Sequence, residues 1–254
     1  MTTVISIHSF RGGTGKSNTA SNVAGQLVSM GHRVGVVDTD IQSPGIHVLF
    51  GFSDDLDNTL NDYLWGKLGI KEVAHDVTSV IAATTTVAPG GALYLVPSSM
   101  KAGDIARVLR EGYDVGTLND GFRDLAKELQ LDYLIIDTHP GLNEETLLSI
   151  TISDVLLLIL RPDRQDFQGT AVTVDVARKL GVPALYLVVN KVPSGIDLED
   201  LRSQMTNAYA AETAAILPLS EDVVQNASAG LISLTTPDHP WSEQIRLIAA
   251  RLIA

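Results

Sequence analysis

The stretch "HSFRGGTGKSN" (His8–Asn18) decides how the rest of the chain is read. It keeps the ending of the general phosphate-loop pattern G-x-x-x-x-G-K-[ST] and loses its beginning, because Phe10 stands where the first glycine belongs. The run before it, "TVISIH" (Thr3–His8), reads as a strand, and a helical pattern from Lys16 to about Met30 follows, closed by Gly31. At a strand-to-helix junction, Gly12, Gly13 and Gly15 let the backbone curl and present successive N–H groups to phosphate oxygens, helped by the positive end of the helix. Lys16 adds an ammonium at the β and γ phosphates, and the Ser17 hydroxyl suits Mg²⁺. A glycine-rich turn with no ligand is the other reading. Three glycines and a Lys-Ser pair in this context weigh against it.

Outward from the loop, short aliphatic runs alternate with helical patterns. "RVGVVD" (Arg33–Asp38), "ALYLVP" from Ala92, "YLIID" from Tyr133, "VLLLIL" from Val155, "ALYLVVN" from Ala184 and "AAILP" from Ala214 are the further strand candidates. They are continuously apolar rather than alternating, which suits parallel strands covered on both faces. The expected fold is α/β, a doubly wound, mostly parallel sheet with helices on both faces. No repeat or long linker divides the chain, so residues 1–254 are expected to form a single domain, with peripheral helical decoration around 52–122 where the pattern weakens.

The formal net charge of -12 and a pI near 4.8 argue against indiscriminate binding to nucleic acid or anionic lipid. With no cysteine, disulfides, Cys-based zinc sites and Cys-ligated iron-sulfur clusters are excluded for these residues, and a reducing cytosol is compatible. The six histidines are too scattered for a short metal motif. The N-terminus has no signal-peptide pattern and the longest apolar run, Val155–Leu160, is far short of a membrane span, so the expected location is cytoplasmic.

The loop resembles the deviant Walker A motif, K-G-G-x-G-K-[ST], of the MinD/ParA family of P-loop ATPases, in which the missing glycine is not required. "VGVVDTDIQSPG" (Val34–Gly45) resembles that family's switch I, "YLIIDTHPG" (Tyr133–Gly141) its Walker B and switch II, and "VVNKV" and "ILPLSED" its adenine-contacting loops. These motifs stand in the family's order along nearly the whole chain. "GKSN" with "DTDIQSPG" is closer to the flagellar-number and MinD-like branches than to the plasmid-partition branch.

The resemblance implies a P-loop NTPase that binds ATP and Mg²⁺. Gly12, Gly13, Thr14, Gly15, Lys16, Ser17 and Asn18 are expected to hold the nucleotide, with Asn190 and Pro218 at the adenine. Asp137 ends an apolar strand where a carboxylate can meet Mg²⁺ beside the loop, or else caps a helix. Asp38 and Asp40, two apart along an extended chain, point the same way; turn residues before "SPG" are the other reading of the pair. By resemblance Asp40 orients or deprotonates the attacking water, and Asp38 joins Ser17 and Asp137 around Mg²⁺. Arg11 stands where the family's signature lysine reaches across a dimer to the partner's nucleotide; it either keeps that role or pairs with a carboxylate of its own subunit such as Asp137 or Asp40. His139 replaces a proline of the family's "DTPPG" and is either a pH or γ-phosphate sensor or simple drift.

The expected function is an ATP-binding and hydrolysing switch that dimerises with ATP and positions or partitions a cellular cargo, with slow, partner-stimulated hydrolysis. A P-loop metabolic synthetase is the alternative, and it lacks a recognisable substrate constellation in the sequence. An iron-sulfur delivery ATPase is disfavoured by the missing cysteines, and a tyrosine kinase by six dispersed tyrosines. Expected partners are a second copy of the chain and an unidentified protein or cargo adaptor. DNA binding is expected to be weak, since residues 161–191 carry five Lys or Arg against three Asp, a net +2. The stripe Trp241, Ile245, Ile248 and Leu252 is read as core packing rather than a membrane anchor, so no stable membrane binding is expected.

Overall fold

A computed structural model describes residues 1–226 and 229–253. Eight strands form one sheet: β1 (Thr3–His8), β2 (Arg33–Asp38), β3 (His75–Asp76), β4 (Ala92–Val96), β5 (Tyr133–Asp137), β6 (Val155–Leu160), β7 (Ala184–Val192) and β8 (Glu212–Pro218). Their spatial order is β3-β4-β2-β5-β1-β6-β7-β8, parallel throughout except for the two-residue edge strand β3. The seven runs expected from sequence are the seven parallel strands; β3 is too short to leave a periodic signal.

Period-two alternation sorts the strand residues onto two faces. Ile5 and Ile7, Val34 and Val36, Ile135, Leu157 and Ile159 pack beneath the helices at Lys16–Ser29 and Pro240–Leu252. Val37, Leu134 and Ile136 on the other face meet the helix Val115–Glu128, while Leu156, Leu158 and Leu160 meet the helices Arg164–Leu180 and Leu198–Tyr209. Both sides of the sheet are thus covered, which is why the strands read as unbroken apolar runs.

The span 52–122 is more than decoration. It contains β4, which pairs with β2 over five residues, and its end runs into the helix whose Leu118, Phe122 and Leu125 are core. At the C-terminus, Trp241, Ile245 and Ile248 are buried in the core, so this helix spends its apolar stripe inside the fold. Among the described residues no helix is long and apolar enough to cross a membrane.

Parallel strands put their carboxyl ends at one edge. The loop after β1 emerges there between the ends of β5 and β6, and β2 ends beside β5. This crevice is where ligands of open parallel sheets bind.

Candidate nucleotide site

Two glycines of the loop take backbone angles that an L side chain rarely adopts, Gly13 at φ +75° and Gly15 at φ +98°. At Gly15 a Cβ would also lie 2.5 Å from Asn190 Nδ2, so glycine is required twice over. The helix starts at Lys16 with no side chain capping it, which leaves its first N–H groups free for an anion. Phe10, the residue that breaks the general pattern, leans its ring on the helix Arg164–Leu180; a Cβ at Gly169 would sit 2.1 Å from Phe10 Cδ1.

Register brings the acidic residues together: Asp38 of β2 lies directly beside Asp137 of β5. Both are about 1% exposed. Asp38 accepts hydrogen bonds from the backbone N–H groups of Asp40 (3.0 Å) and Gly45 (3.3 Å). Neither carboxylate oxygen of Asp137 has a hydrogen-bond partner within ordinary geometry. Burial pushes both carboxyl groups above the usual range; for Asp38 the neighbouring Asp137 and Asp40 add to it, while for Asp137 the Ser17 hydroxyl and the Lys16 charge offset part of the effect. A buried carboxylate with two orphaned oxygens, next to a second one and to a loop serine, is a donor set made for a hard cation.

Asp40, half-buried just beyond, accepts from the Ser43 N–H at 3.2 Å and lies 2.7 Å from His139 Nδ1. His8, at the end of β1, is fully buried with Nδ1 2.7 Å from Thr138 Oγ1. Its Nε2 has no partner, and burial, with the nearby Lys16 charge and His139, pulls its pKa down to about 3.

Arg11 pairs with Asp163 (3.8 Å) and Asp166 (3.6 Å) of the same chain. The same-subunit partners suggested by sequence, Asp137 and Asp40, are therefore not its partners. Arg161 holds both aspartates more closely, at 3.2 Å and 3.1 Å.

On the far side of the loop a cavity of about 300 Å³ is lined by Gly15, Asn18, Asn190, Lys191, Pro218, Leu219, Ser220, Val223, Val224 and Trp241. Asn190 and Pro218, expected at a base, are both in this wall. The Asn190 amide also braces the loop: Nδ2 donates to the Thr14 carbonyl at 2.8 Å and Oδ1 accepts from the Lys191 N–H at 2.8 Å. One N–H and one lone pair are left for a ligand. Sequence reasoning missed Lys191, which sits at φ +58° and donates from Nζ to the Gly13 carbonyl at 2.8 Å. It also missed Val223 and Val224 as wall residues. Trp241 was read as core only, and it is both core and wall. The signals available were the "VVNKV" segment, which holds Lys191 beside Asn190, and the "ILPLSED" segment that supplies Pro218 to Ser220.

A glycine loop opening a helix, with two strand-end carboxylates beside it, defines a P-loop NTPase fold. A family model described as an AAA domain matches residues 2–181. The chain belongs to that family, in the MinD/ParA group of P-loop ATPases. It is 27% identical over 254 residues to an uncharacterized ATP-binding protein of Methanocaldococcus jannaschii, covering 100% of this chain and 88% of that one. It is 25% identical over 252 residues to an iron-sulfur cluster carrier protein of Pseudomonas fragi, covering 93% and 80%. The septum site-determining protein MinD of Pyrococcus horikoshii OT3, solved with Mg-ADP, superposes with a TM-score of 0.81 at 20% identity, covering 99% of this chain and 96% of that one.

Proposed function

We propose that this chain is an ATP-hydrolysing switch that dimerises with ATP and, in that state, engages a protein partner to position a cargo. The observation that carries the reading is the orphaned Asp137 carboxylate beside the loop, at the junction of Ser17, Lys16 and Asp38. On this reading the N–H groups of the loop and the helix start, Gly12 to Asn18, bind the phosphates, and Lys16 adds its charge at the β and γ oxygens. The base lies in the apolar cavity between Asn190 and Pro218. Ser17 and Asp137, with Asp38 behind, would hold Mg²⁺, which supplies neutralisation of phosphate charge. Asp40, nearer the surface than Asp38, orients the attacking water.

Arg11 is the candidate for the contact between subunits. Its own-chain ion pairs are long and half-exposed, and Arg161 would keep Asp163 and Asp166 neutralised if Arg11 turned toward a partner's phosphate. The target is argued to be a protein rather than DNA, because three of the five basic residues of 161–191 are engaged within the chain: Arg161 with aspartates, Arg178 with the Ala210 carbonyl and Lys191 with the Gly13 carbonyl. Some relatives carry iron-sulfur clusters by name, but with no cysteine in its 254 residues this chain offers no thiolate to a cluster. A cytoplasmic location goes with this reading.

The test is ATP turnover. Asp40→Ala is expected to bind ATP about as tightly as the parent protein and to hydrolyse it about a hundredfold more slowly or worse, the scale of losing a positioned base. Equal turnover in the two proteins would remove Asp40 from the chemistry.

A further inference from the structure

Asp40 is held by only one of its two carboxylate oxygens. Oδ1 receives both neighbours, the Ser43 N–H at 3.2 Å and the His139 ring at 2.7 Å, and Oδ2 has no hydrogen-bond partner among the described residues. The contact with His139 crosses from the loop after β2 to the loop after β5, joining two segments 99 residues apart in sequence. An ionised carboxylate only accepts, so His139 Nδ1 carries the proton of this bond. The backbone that carries the imidazole is itself held. Its residue precedes Pro140, which restricts the backbone to extended conformations, and its carbonyl accepts from Thr146 Oγ1 at 3.4 Å. Two residues further on, the Gly141 N–H donates to the Ser9 carbonyl at 3.1 Å, tying the same turn to the phosphate loop.

We propose that His139 is a positioning residue for hydrolysis: by donating from Nδ1 to Asp40 Oδ1 it fixes the carboxylate so that Oδ2 faces the attacking water. The inference rests on the reading of Asp40 given above. It assigns a task to a residue that the sequence left open between a pH or γ-phosphate sensor and simple drift. It also makes the two switch segments depend on each other. Moving the loop after β5 would withdraw the shorter of the two contacts and leave Asp40 held only by the longer Ser43 N–H bond, so hydrolysis requires both loops in place. The bond is half-buried, with side-chain exposures of 20% for His139 and 16% for Asp40, which shields it from competing water more than a surface pair.

The experiment compares steady-state ATP hydrolysis and equilibrium ATP affinity for the parent protein, His139→Leu, His139→Asn, Asp40→Ala and the double variant Asp40→Ala with His139→Leu. Leucine keeps bulk and removes the donor. Asparagine puts an amide nitrogen one bond from Cγ, the place of Nδ1, and restores it. His139→Leu is expected to lower kcat by about tenfold or more with KM and ATP affinity within about threefold, and His139→Asn to recover most of that loss. The double variant is expected to be no slower than Asp40→Ala, because a positioning residue has nothing left to position. A His139→Leu protein that turns over like the parent, beside a slow Asp40→Ala, overturns the inference alone. So does a His139→Asn protein as slow as His139→Leu, or a double variant that is slower than Asp40→Ala. Parent-like turnover in Asp40→Ala overturns the inference together with the reading beneath it.

Discussion

At the phosphate end of the crevice, Asp38 and Asp137 are buried side by side with their charges only partly compensated, whereas at the base end Pro218, Leu219, Val223 and Val224 form an apolar wall, with Leu219 and Val224 more than half exposed to solvent. The first region holds electrostatic strain that a ligand relieves; the second offers apolar surface that a ligand covers. A site built this way should derive most of its affinity from charge at one end and modest affinity from burial at the other, so substitutions at the two ends should differ in both size and signature.

The largest effect is expected at the phosphate end. Lys16→Ala should weaken ATP binding by at least about a hundredfold, the scale on which truncating one partner of a desolvated charge pair registers. Isothermal titration of ATP into the two proteins checks this, and retained affinity would break the contrast between the ends outright.

A smaller effect concerns His8, buried neutral behind the loop. Its folded-state pKa of about 3 lies below the 6.5 of a free histidine side chain, so the unfolded chain binds a proton that the folded one excludes. Its contribution is complete above about 6.5 and is lost as the pH falls through that window toward about 3. Between pH 6.5 and about 4.5 the parent protein should lose about 2 kcal/mol more stability than His8→Asn, which keeps a donor for Thr138 and does not titrate. Urea denaturation at the two pH values measures the difference; parallel losses in both proteins would show that the phosphate end tolerates a charged His8.

The smallest effect belongs to the base end. Val224→Trp fills part of the cavity and should weaken ATP about threefold to tenfold while leaving inorganic tripolyphosphate binding unchanged. An equal loss for both ligands would mean that the two ends are not separable.

The same division explains what the sequence revealed. The phosphate end was legible because its parts are local: three glycines, Lys16 and Ser17 within one loop, and Asp38 and Asp137 each at the end of an apolar run whose strand identity was plain. Only their adjacency needed the register of β2 against β5. The base end draws its wall from residues 15 to 241 and from apolar side chains indistinguishable in sequence from core, so Val223, Val224 and Trp241 gave no warning. The partners of Arg11 were missed for a related reason: Asp163 and Asp166 lie on a segment beyond β6, and nothing in their spacing points back to the loop after β1. His139 looked like an isolated departure until the two switch loops were seen to touch.

The central claim is a change of assembly driven by the γ phosphate, and light scattering coupled to size exclusion tests it most directly. Asp40→Ala, which is expected to retain ATP, should elute near the 27.1 kDa of one chain without nucleotide and with ADP, and at twice that mass with ATP and Mg²⁺. The same mass in all three conditions would contradict the account.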